Sequence, residues 1–197
     1  MYASDELIED STEFDIVNLI VSLFAEAIAQ QEEYAFTLGN GTTAPTGIET
    51  ARAASTLTTV KACGGLGSFD DIIDLEYALP AKYSQNAVFM CNRETVKLLR
   101  LLKDGNSRYI WGEPVAVGQP STLHGYALYQ NQWLPKGTIY FGDFKRGYWI
   151  GDRGQMVVKI TNESESAFTK DQTAIRVVER VGGTVVQGSA LKVITGF

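Results

Sequence analysis

The chain has 197 residues, a mass of 21.6 kDa, 45% hydrophobic and 20% charged side chains, which suits one domain or two small ones and argues against disorder. A core of this size needs no disulfide or metal to stabilise it. With 17 Lys+Arg against 23 Asp+Glu, a net charge of -6, two cysteines and one histidine, the composition excludes a general duplex-DNA binder and most zinc sites.

The start, Met1-Tyr2-Ala3-Ser4-Asp5-Glu6, lacks the basic and apolar regions of a signal peptide. The most apolar stretch, Ile16 to Ala29, is interrupted by Asn18, Ser22 and Glu26. It is also shorter than the roughly 20 residues of a membrane span. A cytosolic chain with both thiols free and no membrane partner is expected.

In chain order, the first predicted element is a long helix. Ser11 and Thr12 offer an N-cap, and Glu13 and Asp15 place negative charge in the first turn. Phe14, Val17, Ile20, Val21, Phe24, Ile28 and Ala35 form an apolar stripe, and Gly39 ends the run. The glycine-rich segment 39–47 follows. A phosphate-binding loop would need a strand before it and Gly-Lys-Ser/Thr at its close; here Pro45 interrupts and no lysine follows until Lys61, so a structural turn is expected.

Ser68 opens a second helix with Phe69, Ile72, Ile73 and Leu79, stopped by Pro80. Residues 86–91 form a short apolar run, read as a buried strand. Asn92 then caps a third helix, Arg93 to Lys103, and Asp104-Gly105-Asn106 turns the chain. Short strands follow at 126–129, 138–141 and 147–150. Finally 156–160 and 173–186 look like the arms of a long hairpin with a bend at Gly182-Gly183, and 190–194 closes as a strand. There is no repeat and no low-complexity segment. The class is α+β.

Catalytic signals are thin. Adjacent Asp70 and Asp71 could do acid/base work, but acids are favoured in a first helical turn anyway. His124 precedes a strand and reads as a turn residue. Cys63 precedes Gly64-Gly65 and could be exposed, whereas Cys91 ends an apolar run and reads as core. No serine sits in a nucleophile elbow. Asn162-Glu163-Ser164 matches a glycosylation sequon that a cytosolic protein would leave unused. The expectation is therefore no enzyme: no catalytic, cofactor-binding or metal-binding residues and no cofactor.

The order of several strings carries a resemblance. Ser4-Asp5-Glu6-Leu7-Ile8-Glu9-Asp10-Ser11 leads into the long helix, and Phe36-Thr37-Leu38-Gly39-Asn40-Gly41-Thr42 with Pro45 and Gly47-Ile48 follows it. Then come Asn92-Arg93-Glu94-Thr95, Leu101-Leu102-Lys103-Asp104 and Arg108-Tyr109-Ile110-Trp111. Leu123-His124-Gly125-Tyr126, Ile139-Tyr140-Phe141-Gly142-Asp143-Phe144 and Tyr148-Trp149-Ile150 complete the series. Nearly the whole chain resembles the major capsid proteins of tailed bacteriophages, with the Hong Kong 97-type fold.

That resemblance implies a peripheral domain at 1–46 and 153–186, with a spine helix at 12–38 and long strands at 156–186. It implies an axial domain at 47–152 and 187–197, with the axial loop near Gly105 to Gly118. It also implies that the chain starts at the last residues of the family's extended loop, as a truncated form lacking the N-terminal arm and most of that loop. Some family members form covalent links between subunits using a lysine of the extended loop and an asparagine and a glutamate of the peripheral domain; the positions aligned with the latter two are Asp171 and Val178 here, so no autocatalytic cross-linking is expected. The function implied is that of a structural subunit of an icosahedral phage or prophage head, associating into pentamers and hexamers that enclose packaged DNA. Its partners would be itself, a scaffolding protein, a prohead protease and a portal, with no sequence-specific nucleic-acid binding. It would sit in the virion, and in the bacterial host cytoplasm before assembly. Two alternatives stay open: an encapsulin-like bacterial nanocompartment shell, which uses the same fold, and a small hydrolase using Cys63 or a serine with His124.

Overall fold

The computed structural model describes residues 2–4, 6–7, 16–64, 67–111, 121–154, 156–162 and 169–197. The chain divides into two units, 1–33 with 151–182 and 34–150 with 183–197.

The first unit contains most of helix α1 (Ile16–Leu38), whose 23 residues span about 35 Å. The border between the units falls inside this helix, after Glu33. The predicted N-cap at Ser11 and Thr12 lies outside the described residues. The unit's sheet is antiparallel. Strand β1 (Tyr2–Ser4) pairs with β9 (Gln172–Val178), and β9 pairs with β8 (Val157–Thr161) in the register Val157↔Val178 to Thr161↔Ala174. Its core is small: Ala3, Ile20 and Ile175 are buried, with Ile16 and Phe24 packed against them. The apolar stripe of α1 is therefore only partly covered, and Leu19 and Leu23 are more than half exposed.

The second unit is built on a mixed six-stranded sheet. Its strands are β2 (Thr58–Ala62), β3 (Val88–Cys91), β4 (Thr122–Leu123), β5 (Tyr126–Gln130), β6 (Ile139–Gly142) and β11 (Leu191–Thr195). The order is β2-β11-β6-β3-β5-β4, with β2–β11 and β3–β5 parallel. Side chains on a strand alternate between faces. Phe89, Cys91, Ile139, Phe141 and Ile194 accordingly enter one core, while Met90, Tyr140, Leu191 and Val193 enter another. The first core is closed by Ile72 and Leu75 of α3 (Phe69–Tyr77) and by Val96 and Leu99 of α5 (Arg93–Leu101). The second is closed by Ile48 of α2 (Ile48–Ala53), Leu57, Leu134 and Tyr148. A sheet covered on both faces explains why these strands read as unbroken apolar runs.

Shorter helices α4 (Ala81–Ser84) and α6 (Phe144–Gly147) connect these pieces. Strands β7 (Tyr148–Asp152) and β10 (Val181–Val185) pair as a two-stranded ribbon.

The predicted helices and strands are present, and the chain is α+β. Three details differ. The third predicted helix stops at Leu101 rather than Lys103, because Leu102 turns extended and the Asp104 side chain captures the Asn106 and Arg108 amides at 2.8 Å. The strand expected over 173–186 is interrupted at Glu179-Arg180, where the β8 pairing ends before the pairing with β7 begins, and Gly182-Gly183 lies inside β10. Gly183 serves closeness rather than bending: a Cβ there would lie 2.5 Å from the Tyr148 hydroxyl and 3.0 Å from the Phe36 ring. Strands β1, β2 and β4 and helices α2, α4 and α6 were not predicted. For β2, the β-branched run Thr58-Thr59-Val60 was the available signal.

Candidate functional site

The glycine-rich loop closes on itself. Asn40 Oδ1 accepts the backbone N–H groups of Thr42, Thr43 and Ala44 at 3.0, 3.0 and 3.2 Å. The Gly47 amide donates to Gly39 O, and the Thr46 amide to Gly183 O, both at 2.9 Å. The amides that a phosphate cradle would present are spent on the loop itself, and no cation stands in it. The loop is the structural turn the sequence suggested. The same end of α1 is held by Asn131 Nδ2 donating to Thr37 Oγ1 at 2.9 Å and by an edge-to-face contact of Tyr34 with Trp133.

Asp70 and Asp71 do not act as a pair. Asp70 is exposed, while Asp71 is 2% exposed and accepts the Ser68 amide at 2.7 Å, the carboxylate half of a capping box. Its carboxylate also binds Lys61 Nζ and accepts from Cys63 Sγ at 3.5 Å. Burial opposes ionisation of Asp71, but Lys61 and the Ser68 amide outweigh it and hold the carboxyl at about 2. Asp71 thus ties α3 to β2, a link invisible in sequence because β2 was not predicted.

Cys63 is raised above the ordinary thiol range by burial and by the adjacent Asp71 charge. A nucleophilic cysteine needs the opposite shift. Cys91 is fully buried, and burial pushes its thiol up to about 12. Both cysteines are free. His124 Nδ1 lies 2.9 Å from Glu76 Oε2, with its ring edge-to-face on Phe69. Its backbone is left-handed at φ 53°, followed by Gly125 at φ 86°. Leu123 and Tyr126 pair across this two-residue turn, as a type I′ hairpin requires. The partner of Cys63 is therefore Asp71 and the partner of His124 is Glu76. The remaining sequence candidates sit elsewhere: Asp171 opens β9 in a left-handed turn, and Val178 ends that strand. Asn162 is described, but Glu163 and Ser164 of its sequon lie outside the described residues, as do residues 112–118 of the 105–118 loop. Among the described residues no group of three His, Cys, Asp or Glu side chains is placed to hold a metal, and no helix is long and apolar enough to cross a membrane.

What sequence reasoning missed is on the surface. Strand β8 is exposed along its whole length and stands at the edge of its sheet, with Val157 47% and Ile160 50% exposed. Leu19 and Leu23 are exposed on α1, and Ile20, Leu23, Phe24 and Ala27 line an apolar depression there. Trp149, Ile150 and Val186 are also more than half exposed. An open strand edge with apolar side chains is an association surface or an aggregation hazard. The apolar residues at 156–160, on both faces of the strand, could have shown it had neither face been counted as buried.

Comparison with known proteins agrees with a surface built for association. No curated protein matches the chain at a significant level. Among solved structures, the capsid of an empty GTA particle computed with C5 symmetry is 32% identical with a TM-score of 0.84, covering 99% of this chain and 70% of that one. A structure from Microbacterium phage Oxtober96 is 21% identical with a TM-score of 0.76, covering 99% and 70%. The encapsulin SrpI from Synechococcus elongatus PCC 7942 is 15% identical with a TM-score of 0.72, covering 99% and 71%, a likeness of fold alone. The family model described as the phage capsid family matches residues 1–196, and the chain belongs to that family.

Proposed function

We propose that the chain is the major capsid protein of a phage or prophage head, a structural subunit that self-associates into pentamers and hexamers enclosing packaged DNA. The observation that carries this is the exposed apolar edge of β8 together with Leu19 and Leu23 of α1. A finished monomer would cover such an edge, whereas a shell subunit covers it with a neighbour through several moderate interfaces closed by symmetry. In this reading residues 1–46 and 153–186 form the peripheral domain, and 47–152 with 187–197 the axial domain. A scaffolding protein, prohead protease and portal are proposed partners, and the host cytoplasm is the proposed location before assembly. No chemistry is assigned to the chain, since Cys63 and His124 each bond a different carboxylate. With Asp171 and Val178 where some relatives carry reactive groups, no subunit cross-link is proposed.

Electron microscopy and sedimentation of the chain expressed alone test this. Rings or shells of uniform diameter are expected, and Ile160→Lys should abolish them while leaving the circular dichroism spectrum unchanged. A chain that stays monomeric at high concentration, with Ile160→Lys indistinguishable from the parent, would overturn it.

A further inference from the structure

Cations line one side of a helix in the second unit. Arg93, Lys97 and Arg100 recur at spacings of four and three, so they share one face of α5. With Leu101 and Gln130 they line an open groove of about 520 Å³. Glu94, the acid among the described residues of that lining, is answered by Lys136 at 3.2 Å. Arg93 and Lys97 are exposed, and neither has an ion-pair partner among the described residues. Aromatic rings stand beside the cations at the far end of the helix. Arg100 Cζ lies 5.4 Å from the centre of the Trp111 ring. Just past α5, Lys103 Nζ lies 5.0 Å from the centre of the Tyr109 ring, and Tyr109 is 60% exposed.

The spacing of these cations matches a phosphate backbone. From Arg93 to Arg100 the helix rises about 10 Å. One strand of a nucleic-acid duplex carries a phosphate about every 3.4 Å along its axis, so about three fall over the same distance. Cations set among aromatic rings are also what a surface tracking a sugar–phosphate chain presents. A protein partner would instead need an apolar anchor to seat it, and among the described residues of the lining Leu101 is the one exposed apolar side chain.

We propose that the basic groove along α5 contacts the phosphate backbone of nucleic acid, weakly and without regard to base sequence. The proposal goes beyond the capsid role by naming a surface of the shell subunit that meets the enclosed DNA, and it rests on the groove rather than on self-association. Contacts to phosphate position a chain on the duplex but carry no sequence information. The net charge of -6 repels a polyanion at long range and keeps the contact weak. Beyond about 8 Å charges are screened at physiological salt, so the groove's own cations set its local potential.

Fluorescence anisotropy of a labelled duplex of about 20 base pairs, titrated with the whole chain, tests this. As salt rises from about 50 to 200 mM, log affinity should fall against log salt with a slope of about -3, close to one unit per phosphate neutralised. Arg93→Gln/Lys97→Gln should weaken binding about tenfold or more at about 50 mM salt and bring the slope to about -1. Lys82→Gln/Lys145→Gln removes the same charge from exposed sites outside the groove. It should stay within about threefold of the parent. All four sites are exposed, and circular dichroism checks that both double variants fold. A parent with no measurable binding at about 50 mM salt, or two double variants that weaken it equally, overturns the groove assignment and leaves the capsid role standing. A poly-glutamate chain bound more tightly than the duplex would reassign the groove to an acidic protein partner. So would a groove variant whose sedimentation shows weaker self-association while its duplex affinity is unchanged.

Discussion

The two units handle their apolar residues in opposite ways. The second covers both faces of its sheet, so Phe89, Ile139, Tyr140 and Phe141 have no exposed surface at all. Among its described residues the first buries only Ala3, Ile20 and Ile175 and leaves Val157, Val158 and Ile160 exposed on an edge strand. Burial of apolar surface is the main favourable term in both folding and association. Where one unit has used its apolar surface to fold, the other has kept much of it for neighbours. The charge distribution follows the same division, with the acids concentrated in the unit that has the smaller core.

Mutations can break this contrast at its strong end. Phe141→Ala removes a fully buried ring packed 4.4 Å from Phe89. It should cost about 3–5 kcal/mol of stability, read by urea denaturation. Gly142→Ala should cost about 1–3 kcal/mol by the same measure. Its φ of 152° disfavours a side chain, and a Cβ would sit 2.1 Å from Ala190 O in the path of β11. A change below about 0.5 kcal/mol in either variant would mean that the second unit is more loosely built than its burial states.

The acid response sharpens the contrast further. Asp71 is held at about 2 by Lys61 and the Ser68 amide, below its ordinary value. A carboxyl depressed in the folded state stabilises above its unfolded pKa, and that stability is lost as pH falls toward the folded one. The loss should therefore run from about pH 5 down to pH 2. Because Lys61 is half exposed, water screens the pair, and the contribution should be on the order of 1–2 kcal/mol. Asp71→Asn should flatten this part of the stability–pH curve, measured by thermal melts across that range. At the weak end, Ile160→Ser should change monomer stability by less than about 0.5 kcal/mol while reducing association, read by sedimentation. If Ile160→Ser instead destabilised the monomer by several kcal/mol, β8 would belong to the first unit's core and not to an interface.

Much of this was legible before the fold was known. The stripe of α1, the Asn92 cap, the apolar run at 88–91 and the Gly39 stop are local patterns, and each is found where it was expected. The missed elements are short. Three residues at β1 or four at α4 carry too little periodicity to register, and only β9 gives β1 a reason to extend. The candidate residues divide in the same way. Cys91 was legible as core because its neighbours are apolar, and the glycine-rich loop as a turn because Pro45 and the absent lysine are local facts. The partners of Cys63 and His124 were not legible, since Asp71 and Glu76 reach them from elements that meet only on folding.

The sequence by itself determined the secondary-structure pattern, the class and the family, because these rest on spacing along the chain and on the order of its strings. Only the tertiary structure decided which apolar residues are spent and which are left over. Leu19 and Ile20 are neighbours on one helix, yet one is 56% exposed and the other 7%. Hydrophobicity says that a side chain favours burial; what buries it depends on which surfaces the fold has already placed against it.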